Sequence, residues 1–275
     1  MNGHYTALAS AFDALAPDYD ANYGPAHNLV MAWLRQESLA LLRSTFPPKA
    51  NLLEIGCGSG EEALALARHG YRITATDVSS GMAALTQRKA AAAGLKEHIK
   101  AVAIPAAHLQ ALRPPRRFQG AYASFGSLNC EPDLQAFGRS LAVLVEPGAS
   151  FVCTIMARMT PFEILWFLAH AQLGQALRRW NGDWQDGRLR TNGGPQLTVP
   201  VRYLTAAAVA EALAPHFTLL RTMSMGLLLP PPYLDALYRK GRPIWNRLLL
   251  LERRLRECRP WCNIGDHVAL VLRRR

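Results

Sequence analysis

Residues 51–77, NLLEIGCGSGEEALALARHGYRITATD, read as a strand, a glycine-rich turn, a helix and a second strand that ends in an acid. Leu52, Leu53 and Ile55 form a short apolar run that stops at Gly56, the pattern of a buried parallel strand. Gly56, Gly58 and Gly60 then alternate, which lets the backbone turn sharply and leaves no Cβ to block a ligand lying against it. Helical periodicity follows in Ala63, Leu64, Leu66 and Ala67, with Gly70 as the stop. Tyr71 to Thr76 make a second strand, and Asp77 stands at its carboxyl end. Such a unit opens an α/β domain with a Rossmann-like sheet.

An acid at that place accepts the hydroxyls of a ribose, because the ends of neighbouring parallel strands open onto one crevice. The third glycine decides which nucleoside is expected. A dinucleotide fingerprint, G-x-G-x-x-G, needs its last glycine where this chain has Glu61. The pattern present is E-x-G-x-G-x-G, from Glu54 to Gly60, with a carboxylate just before the turn. It suits a ligand that carries an ammonium group and lacks a pyrophosphate, and S-adenosylmethionine fits that description.

At this point the chain resembles the class I S-adenosylmethionine-dependent methyltransferases, whose first motif is matched by LLEIGCGSG and whose second by ITATDVSSGM. The segment FDALAPDYDANYG resembles the N-terminal lid of small-molecule methyltransferases, including the quinone-biosynthesis C-methyltransferases. The resemblance implies a seven-stranded, mostly parallel sheet with its last strand antiparallel. It further implies a helical lid over 1–50 ahead of a core over 51–158 and 200–275, whereas 159–199 is not generic to that class and reads from its own residues as a helical cap or lid inserted after strand five. By the same resemblance Tyr19 lies near the methionine end of the cofactor, and Val78 and Met82 flank the adenine. The family often places an acid after strand three, where this chain has Pro105 or Ala106, so backbone groups of Ala106 and Ala107 are left to reach the adenine, with His108 beside them. Ser124 and Phe125 would line the methionine portion through their backbone. They stand where amino-nitrogen methyltransferases of nucleic acid or protein carry N/D-P-P-Y/F, and the Pro-Pro-Pro-Tyr at 230–233 falls too late in the chain to replace it. That run reads as a stiff polyproline connector.

The remaining elements follow in order. Residues 5–46 show two helical stripes interrupted at Pro17 and Gly24-Pro25. A helix follows Asp77 with Ser79 or Ser80 as its cap. Strands are expected at 99–103, 118–125 and 150–157, the last preceded by a helix LAVLVEPG. HFTLLRTMSMGLL and HVALVLRR supply the final two. PFEILWFLAHAQLGQALRRW, 161–180, is expected as one unusually apolar helix, either over the crevice or packed on the sheet as ordinary core. WNGDWQDGRLRTNGGPQ is expected as a polar loop able to move, then TVPVRYL as a short strand and TAAAVAEAL as a capped helix.

At 275 residues, half of them hydrophobic, the chain can bury a full core. Its five cysteines are scattered and imply no disulfide framework, which points to a reducing cytoplasm, and Cys258 and Cys262 have no second pair to complete a zinc site. No signal peptide is visible, and the apolar runs fall short of the roughly 20 residues of a membrane span. Residues 221–275 hold 12 Lys and Arg against 4 Asp and Glu, a net +8 of the chain's +11. Within them, 233–258 reads as a basic amphipathic helix that suits a membrane interface, a lipid-like substrate or a dimer surface. The expected partner is a small, fairly hydrophobic acceptor, with contact at the inner membrane face through the basic region. The missing amino-nitrogen motif argues against nucleic acid, as does the lack of an RNA-binding module. A cofactor-binding protein without catalysis is the third reading.

Methyl transfer from a sulfonium needs alignment and exclusion of water, and a base only where the acceptor must lose a proton. His27 and Tyr23 from the lid and His170 from the cap are the candidates for that base. Asn129 and Cys130 follow the Ser124–Phe125 loop and are candidates to face the acceptor, Asn129 alternatively as a helix cap. No metal ligand set is expected.

Overall fold

The computed structural model describes residues 3–24, 26–189, 191 and 196–275. One seven-stranded sheet organises it. Strands β1 Asn51–Ile55, β2 Arg72–Asp77, β3 Ile99–Ala103, β4 Phe118–Ala123 and β5 Val145–Met156 run parallel in the order β3-β2-β1-β4-β5. Two shorter strands, β6 Gln185–Leu189 and β7 Leu197–Val201, form a separate antiparallel pair. The sheet is completed by β8 Phe217–Met225 and β9 His267–Arg274, with β9 inserted between β5 and β8 and antiparallel to both.

Alternation along the strands sends side chains into two cores, so helices cover both faces. On one face Leu52, Ile73, Tyr122, Val152, Ala269 and Val271 pack under α3 Leu29–Thr45 and α4 Glu61–Ala67. On the other, Leu53, Ile55, Phe151, Leu270 and Leu272 pack under α6 Leu134–Leu144 and α9 Ala206–Leu213. Leu52, Leu53, Phe151 and Leu272 are fully buried, and each such side chain contributes about 2 kcal/mol of hydrophobic stabilisation. The two N-terminal helices α1 Gly3–Leu15 and α2 Tyr19–Tyr23 lie outside this sandwich, and α1 packs on α5 Ser80–Ala92 and on β7.

Several boundaries differ from those expected. The helix before β5 stops at Leu144, and the strand begins at once, with an irregularity where Phe118 pairs Val145 but Gly120 pairs Ser150. Val145, Pro147 and a left-handed Gly148 favour extended chain over another helical turn. The single apolar helix over 161–180 is two pieces, α7 Pro161–Ala169 and α8 Leu173–Ala176, broken where Ala171 takes a φ of 55°. α7 is not a core helix on the sheet, since Glu163 is its one buried residue. The polar loop after it is partly strand: 185–189 pair with 197–201. Arg190 and 192–195 of that loop, like Pro25, lie outside the described residues. The basic helix is also divided, at Gly241, into α10 Asp235–Lys240 and α11 Arg242–Leu255. All five cysteines are free. Among the described residues no helix is long and apolar enough to cross a membrane.

Candidate active site

The crevice at the carboxyl ends of β1 and β4 is built by the turn after β1. Its glycines all take left-handed φ, 71° at Gly56, 53° at Gly58 and 79° at Gly60, which side chains with a Cβ rarely adopt. A Cβ on Gly56 would stand 2.4 Å from that of Ser127, so this glycine also lets the loop after β4 close against the turn. A Cβ on Gly58 would instead meet the Tyr19 phenol in ordinary van der Waals contact, its hydroxyl at 3.6 Å, so Tyr19 lies directly against the turn. That is the cradle.

Asp77 closes the far side. Its Oδ2 accepts from Gly58 N and its Oδ1 from Ser79 N, both at 2.9 Å, so the carboxylate is fixed to the turn it faces. Burial pushes its pKa up to about 6, against the pull of those two amides. Each oxygen keeps a further lone pair for a ligand hydroxyl. Met82 is fully buried at the start of α5, whose cap is Ser79, and packs with Leu15, Ala16 and Tyr19 beneath the N-terminal helices. Val78 and Ala107 pack with Tyr5, Leu8 and Phe12. Ala106 opens a short 3-10 helix, Ala106–Ala111, that continues to His108, whose ring lies 5.7 Å from that of Tyr5.

The opposite end holds buried charge. Glu54 is 1% exposed, and burial, with Glu62 beside it, raises its pKa well above the usual range. Glu62 is ion-paired to Arg35 of α3. Among the described residues the Arg35 Nε, Glu54 Oε2 and Ser127 Oγ are buried without a partner. The Arg35 guanidinium lies 5.3 Å from the centre of the Phe125 ring. Phe125 itself is held at a φ of 51° with its N–H donated to Thr154 Oγ1 at 2.6 Å, and Ser124 precedes it at the edge of β4. With Arg35 and Glu62 neutralising one another, the buried carboxyl groups of Glu54 and Asp77 are left without an ion-pair partner among the described residues. The donor set therefore fits a ligand with ribose hydroxyls, cationic centres and one carboxylate for Arg35, which is the chemistry of S-adenosylmethionine.

Tyr19 and Tyr23 stack at 5.1 Å over this crevice, and burial pushes the Tyr19 phenol up to about 12. Two contacts dock their helices. Asp13 Oδ1 accepts from Ser79 Oγ at 2.6 Å and from Gly81 N at 2.7 Å, capping α5 from outside. Asp20 bonds Lys89 at 2.6 Å, and Lys89 also bonds Glu61. Asp13 and Arg35 carried no signal in the sequence: one reads as the polar side of α1, the other as a solvent-facing arginine of α3.

The two histidine candidates are exposed. His27 offers its carbonyl to Arg239, and His170 sets Nδ1 2.7 Å from its own helix's Trp166 O, ring against ring at 4.3 Å. Asn129 neither faces solvent nor caps α6, whose cap is Asp133. It is fully buried and ties Met156 N and O to Arg202 O, fastening β5 to the chain after β7. Cys130 is largely buried beside it, and its carbonyl accepts from His4.

A family model described as a methyltransferase domain matches residues 52–148, which spans β1 to the start of β5. No curated protein matches the chain in sequence. Solved structures of the same fold include the CcbJ methyltransferase from Streptomyces caelestis, 16% identical over 88% of this chain and 95% of that one, with a TM-score of 0.57. The N-methyltransferase NodS from Bradyrhizobium japonicum WM9, in complex with S-adenosylhomocysteine, is 14% identical over 97% of each chain, at 0.56. The 1,6-didemethyltoxoflavin-N1-methyltransferase of Burkholderia thailandensis, with bound 1,6-didemethyltoxoflavin and S-adenosylhomocysteine, is 18% identical over 94% of this chain and 87% of that one, at 0.51.

Proposed function

We propose that this chain, whose residues 52–148 form a methyltransferase domain, transfers a methyl group from S-adenosylmethionine to a small, lipophilic acceptor. The observation that carries the reading is the presence of two buried carboxyl groups, Glu54 and Asp77, on either side of the glycine turn with no ion-pair partner among the described residues, and the unpartnered Nε of Arg35 between the helices. Asp77 takes the ribose hydroxyls. Glu54 and Arg35 take the ammonium and carboxylate of the methionine portion, Arg35 through its free Nε. Val78, Met82, Ala106 and Ala107 bound the adenine, and the backbone of Ser124 and Phe125 lines the methionine chain. The bound cofactor supplies an electrophilic methyl group on a positively charged sulfur leaving group. Tyr19 and Tyr23 cover the crevice and keep water from it, so that the helices docked by Asp13 act as a lid.

The lipophilic acceptor follows from the residues beside the crevice. Phe162 of α7 meets Trp245 of α11 at 5.7 Å and stacks with Trp166, while Leu165, Leu168, Leu173 and Leu177 stand exposed on the same inserted segment. α11 adds exposed Leu250 and Leu251 among Arg247, Arg253 and Arg254. Leucines interleaved with arginines suit the surface of an anionic bilayer, where the acceptor would partition, better than the phosphates of a nucleic acid. The solved relatives of this fold that act on small molecules agree with an acceptor of that size.

Purified protein given methyl-tritiated S-adenosylmethionine and a panel of quinols, phenols, amines and fatty acids tests the reading. Label is expected in the organic-extractable product and lost in Asp77→Asn. Label confined to added RNA would overturn it.

A further inference from the structure

The buried pair Asp266–His267 is a titratable cluster at the crevice end of the sheet that the methyltransferase reading leaves unused. β9 is antiparallel, so its first residue, His267, stands at the same sheet edge as the carboxyl ends of the parallel strands, paired in register with Met156 and Met225. Residues 269 and 271 of β9 pack into the core beneath α3, and by the twofold alternation of a strand His267 faces that same side. There its ring meets Phe125 edge-on at 5.6 Å, while Arg35 covers Phe125 at 5.3 Å. One aromatic ring therefore separates His267 from the residue assigned to the methionine carboxylate.

His267 is held in place from behind. Its Nδ1 stands 3.0 Å from Asp266 Oδ2, and both residues are buried. Asp266 is fixed in turn by Arg179, whose Nη2 reaches Asp266 Oδ1 at 3.1 Å and Glu163 Oε2 at 2.6 Å. Burial alone would raise the Asp266 pKa, but the His267 ring and the Arg179 guanidinium outweigh it and hold it at about 2. The Asp266 carboxylate lies close to Nδ1 without the alignment of a hydrogen bond, and Nε2, on the far side of the ring, is the nitrogen turned away from Asp266. Glu163 belongs to α7, so the chain Glu163–Arg179–Asp266–His267 links the apolar inserted segment to the sheet edge.

Resting on the methyltransferase reading, we propose that His267 is the general base toward the acceptor and that Asp266 is its positioning residue. His267 Nε2 takes the proton from the acceptor's X–H as the X lone pair bonds the methyl carbon. The electron pair of the broken carbon–sulfur bond stays on sulfur, so the positive charge lost there reappears on the imidazolium. The histidine then returns its proton to water. A structural histidine of the same burial would need no ionised partner and no place beside the cofactor loop.

Calorimetry with S-adenosylhomocysteine comes first, because absence of binding removes the methyltransferase reading itself. With binding established, diethyl pyrocarbonate labelling mapped by mass spectrometry reads His267 without any acceptor. Carbethoxylation of His267 is expected in the free protein and is expected to slow severalfold with S-adenosylhomocysteine bound, while exposed His27 and His170 serve as unprotected controls. A His267 that never reacts, or reacts alike in both states, overturns the proposal and leaves the cofactor reading standing. With the acceptor found by the tritium assay, His267→Asn should lose about 100-fold or more in kcat with KM little changed, partly restored by free imidazole. Asp266→Asn should lose less. Full kcat in His267→Asn would sink the proposal.

Discussion

Asp77 should make cofactor affinity depend on pH in a window where most carboxylates no longer titrate. Its pKa of about 6 in the free protein comes from burial, and ribose hydroxyls donate best to the ionised form. If only the ionised form binds, affinity falls about tenfold from pH 7 to pH 5, roughly 1.4 kcal/mol. The sign for stability runs the other way. The folded, cofactor-free protein holds this proton more tightly than the unfolded chain, so Asp77 costs nothing below the unfolded value of 3.8 and costs about 3 kcal/mol once pH exceeds 6. Cofactor binding at pH 6 should release about half a proton, which calorimetry in two buffers of different ionisation enthalpy measures directly. Asp77→Asn isolates the group. It removes the buried charge and one acceptor for the amides of Gly58 or Ser79, two effects of similar size and opposite sign, so the free protein should remain folded. Affinity in the variant should drop about tenfold to a hundredfold at neutral pH and lose the slope. A wild-type affinity that is flat between pH 7 and 5, or a slope that survives in Asp77→Asn, refutes the reasoning.

Asp13→Ala removes the bonds to Ser79 and Gly81 that dock α1, and should weaken cofactor binding by about 1–2 kcal/mol while exposing residues 3–23 to limited proteolysis. Since these bonds hold the Asp13 pKa below 3.8 against its burial, their contribution is present above that value and fades as pH drops through the lower folded one. Arg35→Ala strands Glu62 and should cost about 3–5 kcal/mol in denaturant unfolding, most of it recovered by Arg35→Leu combined with Glu62→Leu. Vesicles of phosphatidylcholine with phosphatidylglycerol should pellet the protein where phosphatidylcholine alone does not, and Leu250→Asp with Leu251→Asp should abolish the effect. Equal pelleting of wild type and variant would dismiss the bilayer contact.

The sheet was legible because its signals are local. Each parallel strand is a short apolar run with a turn at its end, and Glu54, the three glycines and Asp77 sit within 24 residues of sequence. The partners that complete the site are long-range and of ordinary composition. Arg35 joins Glu62 across 27 positions, Asp13 reaches Ser79 across 66, and Glu163 reaches Asp266 only through Arg179. Periodicity carries no mark of such pairs, since a buried arginine on an apolar stripe looks like an exposed one at its margin. Breaks within helices were hidden for a related reason. Ala171 is a good helix former that takes a left-handed φ because the chain after α7 folds back, with Gln172 N donated to Phe167 O at 2.8 Å. Asn129 stands in a loop where polar residues usually meet solvent, and only the approach of the end of β5 and of the chain after β7 gives its amide three backbone partners, Met156 N and O and Arg202 O.

The central claim is that the crevice between Glu54 and Asp77 is made for S-adenosylmethionine. Calorimetry of the purified protein with S-adenosylmethionine and, separately, with NAD tests it most directly. The account predicts one site for S-adenosylmethionine, weakened in Asp77→Asn, and no heat with NAD. Binding of NAD, or of neither ligand, would contradict it.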